Sequence, residues 1–367
     1  MPSSAETITT AVDTVKHDSG TSYVAVNVDE NNKSWNSDLL IKDISKDLRN
    51  SYGLIGYYQS SENADISGNL DISNLSISNT LDRYDSFSAI AGAEISQGTF
   101  SSNGRISVSG LTHTSVYDRG EVDSDEYVKG ISLSSAVLEG VTELHVDGIT
   151  SNLSQDGSIY GVDWNDSKAT SLSQISVSNI SGLSPMNGDD SANVYGLNVN
   201  GGDLGSQDNR VSLTITNIST RNGNLNGVNI KNNSSYFDTV NIQGLNQGGT
   251  ASDSLGTSFF GFQVSHASKE QETTSVDIAG TLSVSDLDIQ GLQYMDAAAV
   301  MVGSEVGRND TDNHKNGDGR ASLTATEISV SDVDVKSTGS GTFFFSGVAV
   351  GRDAELTAEK VLVSDVE

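Results

Sequence analysis

The stretch QISVSNISG, residues 174–182, decides the fold. Apolar and polar positions alternate as far as Val177, asparagine stands at 179, and the chain resumes with the aliphatic Ile180. Period-two alternation is the pattern of a strand with one face buried. Asn179 interrupts it, and asparagine, aspartate and glycine are the residues that best tolerate positive φ. One such residue between two strand segments turns the chain sharply without a long loop. Ile175, Val177 and Ile180 are then expected to point into one interior.

Relatives of this stretch recur: RISVSGLTH at 105–113, EISVSDVDV at 327–335 and KVLVSDVE at 360–367. Aligned on the pattern, ten copies run from a centre at Ile41 to one at Val363. Two residues after each centre stands Asp43, Asn74, Gly110, Gly148, Asn179, Asn217, Gly244, Asp286, Asp332 or Asp365, and the next residue is always Ile, Leu or Val. A second motif, Gly followed by alternating apolars, lies between the copies: YGVDW (160–164), YGLNV (195–199), NGVNI (226–230), FGFQV (260–264) and SGVAV (346–350). IGYYQ (55–59) and KGISL (129–133) are weaker members.

Hairpins would favour paired turn residues such as Asp-Gly, and only Asp147-Gly148 among the corners offers one. The copies are about 36 residues apart, a period that signals a solenoid or a propeller. A propeller blade needs four strand signals, and only two strong ones and part of a third are present. The shortest repeats suit one coil of three short strands. The excess in the others lies in polar stretches such as TSVYDRGEVDSDE (114–126) and GSEVGRNDTDNHKNGDG (303–319), read as loop insertions. The expected fold is all-β: a right-handed parallel β-helix of three-strand coils, about ten repeats stacked at about 4.8 Å into a rod of roughly 48 Å. Residues 1–20 are read as a lead-in or partial coil and 21–367 as the β-helix. The chain stops in mid-repeat, which reads as a piece of a longer protein.

Composition narrows the function. The 367 residues carry 20 Lys and Arg against 49 Asp and Glu, a formal net charge of −29. Such a chain repels nucleic acid and anionic membranes. There is no cysteine, which excludes disulfides, thiolate metal sites and cysteine catalysis. The N-terminus has neither the basic nor the apolar region of a signal peptide.

The recurring ISVSN-ISG, LTITN-IST and LSVSD-LDI corners, the YGLNV-type strands, the acidic Ser/Thr/Asn/Gly-rich composition and the missing cysteine resemble passenger domains of Gram-negative autotransporters, in particular the self-associating and diffuse-adherence adhesins. The resemblance covers about residues 21–367, and its motif is structural. It implies display on the cell surface from a C-terminal outer-membrane barrel, which this chain does not include. It also implies a role in bacterial self-aggregation, biofilm formation or adhesion. The partners it implies are the same protein on neighbouring cells, or a host surface or matrix glycan or protein. Membrane contact would come only through the barrel.

Parallel β-helices also include polysaccharide lyases and hydrolases, so a polysaccharide-binding or polysaccharide-degrading β-helix is the alternative. Such sites need converging carboxylates, or a carboxylate with Arg or Lys. The candidates are Asp163, Trp164 and Asp166, beside coils carrying Asp189, Asp190 and Asp203. Asp163 is expected to face outward and Trp164 inward. None of His17, His113, His145, His266 and His314 lies in a catalytic or metal-binding motif, and His145 is expected to face outward. DTDNHKNGDG (310–319) has Asp310 and Asp312 as in a calcium loop, but His314 takes the third ligand position and the terminal glutamate is missing. It is read as a solvated loop. The sequons at Asn74, Asn179 and Asn217 coincide with corners and are assigned no glycan. Tyr117 and Tyr127 are read as pinning a long loop to the rod. The chain is accordingly expected not to be an enzyme, with no catalytic, cofactor-binding or metal residue and no cofactor. The ten corner residues are the structural positions singled out.

Overall fold

The computed structural model describes residues 5–17, 20–50, 52–81, 86–117, 124–153, 157–183, 192–221, 223–248, 256–269, 272–290, 294–303, 319–336 and 343–367. The segment 310–318, with its calcium-loop resemblance, lies outside them, as do Asp189 and Asp190 and the side chain of Tyr117.

The described chain winds into ten coils. Each contributes one strand of the glycine motif and one long strand of the corner motif, for example Tyr52–Ser60 with Leu70–Leu81, or Gly157–Ala169 with Gln174–Leu183. The first four coils add a short strand between the two: Lys33–Trp35, Ala64–Ile66, Thr99–Ser102 and Val137–Glu139. Further along, Gly157–Ala169 continues through that position and pairs with Val137 and Leu138. Like motifs pair in parallel from coil to coil. Ile106, Val108 and Leu111 lie beside Leu70, Ile72 and Leu75 on one side and Leu144, Val146 and Ile149 on the other. The fold is a parallel β-helix, right-handed as crossovers between parallel strands of one sheet are.

Two segments precede the first full coil. Glu6–Ile8 pairs in parallel with Leu39–Ile41. Asp13–Lys16 pairs antiparallel with Thr21–Val28.

The corners work by backbone conformation. All ten, from Asp43 to Asp365, have φ between 52° and 77°. This left-handed conformation keeps the aliphatics on both sides of the turn in the core: Ile175, Val177 and Ile180 are all buried. Side chains at the corners bond along the rod. Asn74 Nδ2 donates to Asp43 Oδ1 at 2.9 Å, and Asn217 Nδ2 to Asn179 Oδ1 at 3.1 Å. Where the corner below is Gly148, Asn179 Nδ2 instead donates to Asp147 Oδ1 at 2.6 Å. The Ser178 hydroxyl, and after it the Asn179 amide, hold the Asp147 carboxyl below its usual range.

The glycine motif has a different cause. Gly56, Gly92, Gly130, Gly161, Gly196, Gly227 and Gly261 form one column. A Cβ on Gly161 would lie 2.4 Å from Val177 Cγ1 and 2.5 Å from the Gly196 carbonyl oxygen. A Cβ on Gly92 would lie 2.4 Å from Val108 Cγ1. The two walls of the coil therefore lie close at this column, where glycine leaves room that most side chains would not. The column continues as Ala299 and Gly347.

The inward approach breaks the strand alternation. Ile159 is buried in the core and Tyr160 faces out. Gly161 and Val162 then both sit inward, after which Asp163 faces out and Trp164 returns to the core. The same phase slip occurs in Tyr52–Ser60 and Gly223–Lys231, whose buried runs break the alternation at the same place. A strand dented toward the core is concave outside, so the outward residues flanking each glycine line a groove parallel to the rod axis.

Candidate functional site

Two outward columns flank the glycines. The one preceding them begins apolar, with Val24, Ile55 and Ala91. It becomes polar and aromatic at Lys129, Tyr160, Tyr195 and Asn226, then apolar again at Phe260 and Ala298. The column two residues after the glycines begins at Asn27 and Tyr58, carries Glu94, Ser132, Asp163, Asn198, Asn229 and Gln263, and ends at Met301 and Ala349. Val15, on the antiparallel strand Asp13–Lys16, packs on Val24, Ile55 and Ala91 and closes the first end. Phe260, Ala298, Met301 and Ala349 form an apolar cluster at the other. Both columns are polar or aromatic over four coils, from Lys129 and Ser132 to Asn226 and Asn229, or roughly 19 Å at 4.8 Å per coil.

This stretch is outside the core yet shielded. Asp163 is only 4% exposed, Ser132 and Asn226 5%. Its centre is a hydrogen-bonded ladder. Lys129 Nζ donates to Asp163 Oδ2 at 2.9 Å, and Asn165 and Asn198 each donate through Nδ2 to Asp163 Oδ1 at 3.0 Å. Asn229 Nδ2 donates to Asn198 Oδ1 at 2.9 Å, and the Ser265 hydroxyl to Asn229 Oδ1 at 2.9 Å. With three donors on it, Asp163 anchors the ladder and does not stand free as a base. Each ladder amide retains one N–H and one lone pair beyond these contacts.

The other column supplies rings. Tyr160 and Tyr195 stack at 5.0 Å between centroids and 9° between planes. Burial raises both phenol pKa values, that of Tyr195 to about 12, so both hydroxyls remain donors at neutral pH. Lys129 Nζ lies 5.3 Å from the centroid of Tyr127 and 5.6 Å from that of Tyr160, within cation–π range. Tyr127 also meets Phe87 edge-on at 5.4 Å.

Buried polar atoms normally have partners. Among the described residues six buried side-chain atoms have none, and Asn27 Oδ1, Glu94 Oε2 and Asn226 Oδ1 among them lie on the two groove columns. Burial pushes the Glu94 carboxyl up, against the pull of Lys129 and together with the repulsion of Asp163.

The candidates read from sequence are separated by the fold. Asp163 faces outward, as its place after Val162 requires, but into the groove and away from bulk water. Trp164 is buried in the core and donates through Nε1 to the Ser167 carbonyl at 3.1 Å. Asp166 is exposed at a positive-φ turn, and Asp203 is an exposed partner of Lys168 at 3.2 Å. Neither reaches the groove. His145 faces outward, with Nδ1 2.6 Å from the Ser176 hydroxyl. His113 is buried between Ser88 and Ser151 of other strands, at 2.8 and 3.2 Å, and burial lowers its pKa to about 4. Lys129, Glu94, Asn198, Asn229 and the tyrosine pair were missed as site residues. Their only sequence signal is their offset from the glycine of each repeat.

No family model matches the chain, and no curated protein matches it. Matching solved structures are those of the periplasmic alginate epimerase AlgG. One is 11% identical at a TM-score of 0.26, covering 94% of this chain and 85% of that one. A double mutant of the same protein is 10% identical at 0.20, covering 94% and 86%. The expectation that the chain is not an enzyme is corrected by these matches, since the proteins found are enzymes. At these TM-scores the likeness transfers no reaction, substrate or residue. The autotransporter resemblance rests on the sequence motifs alone.

Proposed function

We propose that this protein is a polysaccharide-binding β-helix that works outside the cytoplasm and holds one extended glycan along the glycine-bent groove. The observation that carries the reading is the in-register pair of shielded polar columns, which offers a fresh set of contacts at every coil. The coil spacing of about 4.8 Å is close to the rise of one sugar in an extended glycan, so successive sugars meet successive rungs. Rings with a few directed polar groups in a concavity are the usual equipment of a ligand site. The passenger resemblance supports a place at the cell surface, where the ligand would be a surface or matrix polysaccharide.

The test is a panel of immobilised polysaccharides probed with the purified protein and with Asn198→Ala/Asn229→Ala, with the soluble fraction analysed for altered product. Binding to at least one polysaccharide, weakened tenfold or more in the double variant, is expected. Binding that survives the double variant unchanged, or none across the panel, refutes the reading.

A second reading, adhesion between rods, is favoured by the corner edge. There Asn74, Asn179 and Asn217 are exposed and bonded along the rod. In this reading copies on neighbouring cells associate through that flat polar edge, and aggregation of displaying cells would be lost when the edge is blocked with arginines.

A further inference from the structure

We infer that the groove selects a neutral, hydroxyl-rich glycan and rejects polyuronates. The inference rests on the groove being a glycan site and adds the charge class of its ligand.

Binding a carboxylate-bearing sugar in a shielded groove requires a free cation, because an ion stripped of water without a partner is costly. Arginine or lysine normally supplies it. On the polar stretch the one cation among the described residues is Lys129, and it is already engaged. Its ammonium is bonded to Asp163 at 2.9 Å and to the Ser132 hydroxyl at 3.4 Å, and lies over the Tyr127 and Tyr160 rings. To serve a uronate it would have to abandon Asp163, leaving that carboxylate shielded and short of its charged donor. The adjoining rung is Glu94, a second acid. The rest of the chain adds a field of one sign, at a net charge of −29.

What the groove does offer is suited to hydroxyls. Asn198 and Asn229 keep an unused donor and acceptor each, and the stacked tyrosines present two phenols. A sugar hydroxyl donates and accepts at once, so it matches an amide that does the same. Carboxylates only accept, and would be set against Glu94 and Asp163.

Calorimetric titration of the whole chain with cellohexaose, xylohexaose and mannohexaose, and with hexamers of mannuronate, guluronate and galacturonate, tests this at low and high ionic strength. At least one neutral hexamer should bind at least tenfold more tightly than every uronate hexamer. Salt should leave the neutral hexamer unchanged and improve uronate binding by screening repulsion. Gln263→Lys, which adds an uncommitted cation at the end of the polar stretch, should raise uronate affinity about tenfold. A uronate hexamer that binds more tightly than the neutral ones, or more tightly at low salt, overturns the charge class. If that binding is still lost in Asn198→Ala/Asn229→Ala, the groove stands as a glycan site. No gain in Gln263→Lys also overturns the charge argument. Binding of neither class overturns the groove as a glycan site, and the inference with it.

Discussion

Removing the Asp163 carboxylate tests the groove most directly. Asp163→Ala takes the acceptor from three donors. Two are amides, from Asn165 and Asn198, each worth about 1 kcal/mol net. The third is the ammonium of Lys129, and a bond to a charged group is worth about 1.5–3 kcal/mol. Breaking a fully buried ion pair costs about 3–5 kcal/mol because it strands the remaining charge. Here the Asp163 side chain is 6% exposed but that of Lys129 is 23% exposed, so the ammonium recovers part of its hydration. The combined loss should be about 3 kcal/mol. Urea unfolding followed by tryptophan fluorescence is the assay, because the buried Trp164 belongs to the same coil. Lys129→Met and the double variant complete a cycle. Once the lysine is gone, removing the aspartate costs only the two amide bonds, about 2 kcal/mol, so a coupling of about 1 kcal/mol is expected. A loss below about 1 kcal/mol for Asp163→Ala, or a coupling below about 0.5 kcal/mol, would show that Asp163 is solvated and that the strand is not dented into a groove.

Other predictions follow from the same geometry. The buried His113 stays neutral down to about pH 4 in the folded chain, whereas an unfolded histidine titrates near 6.5. The unfolded state therefore binds the extra proton in between, and this residue's contribution to stability falls as pH drops from about 6.5 to about 4, by up to ~3 kcal/mol. The difference in unfolding free energy between wild type and His113→Gln should follow that curve, and a pH-independent difference refutes it. Gly161→Ala should destabilise by about 1–3 kcal/mol through overpacking against Val177 and the Gly196 carbonyl, read as a lower urea midpoint. At the corner, Asn179→Gly should change stability by under about 0.5 kcal/mol, whereas Asn179→Val should cost about 1–2 kcal/mol because its φ of 56° disfavours a β-branched side chain. Equal midpoints for the two would count against the corner mechanism.

The architecture was legible because its cause is local. A positive φ can be met by Asn, Asp or Gly, so the requirement writes itself into the sequence at Asn74, Asn179 and Asn217 however the loops vary. The glycine motif was legible only in part. IAGAE (90–94) and DAAAVMV (296–302) occupy the same columns, and neither was recognised as a copy. The first hides its glycine among alanines, and the second has Ala299 in the glycine's place. The site was hardly legible. Simple alternation places Asp163 and Tyr160 on the outside, where a carboxylate and a phenol are ordinary. Their shielding comes from the dent at Gly161, and their partners Lys129 and Asn198 lie one coil away on either side, linked to them only through stacking register.

The two kinds of column carry different information. Inward positions repeat because each must fill the same space between its neighbours, so Ile175 predicts Leu144 and Leu213. Outward positions of the corner strands vary more freely, among Ser, Thr, Asp, Asn, Lys42 and His145, since either water or a neighbouring side chain can satisfy them. The outward positions beside the glycines are under neither rule. They are shielded enough that a polar residue needs a partner, yet outside the core, so an apolar one is not required. At the two ends the column before the glycines is apolar, with Ile55 and Ala91 in one direction and Phe260 and Ala298 in the other; the column after them turns apolar at Met301 and Ala349 but keeps Asn27, Tyr58 and Glu94 at the first end. An apolar group is the stable choice for a shielded surface. Only between those ends does the chain place Lys129, Tyr160, Asp163, Tyr195, Asn198 and Asn229, residues that burial alone does not favour. A departure from the stable choice over a bounded run of coils is what a ligand site requires of a repeat protein, and on the proposed glycan reading the length of that run sets how many sugars would fit.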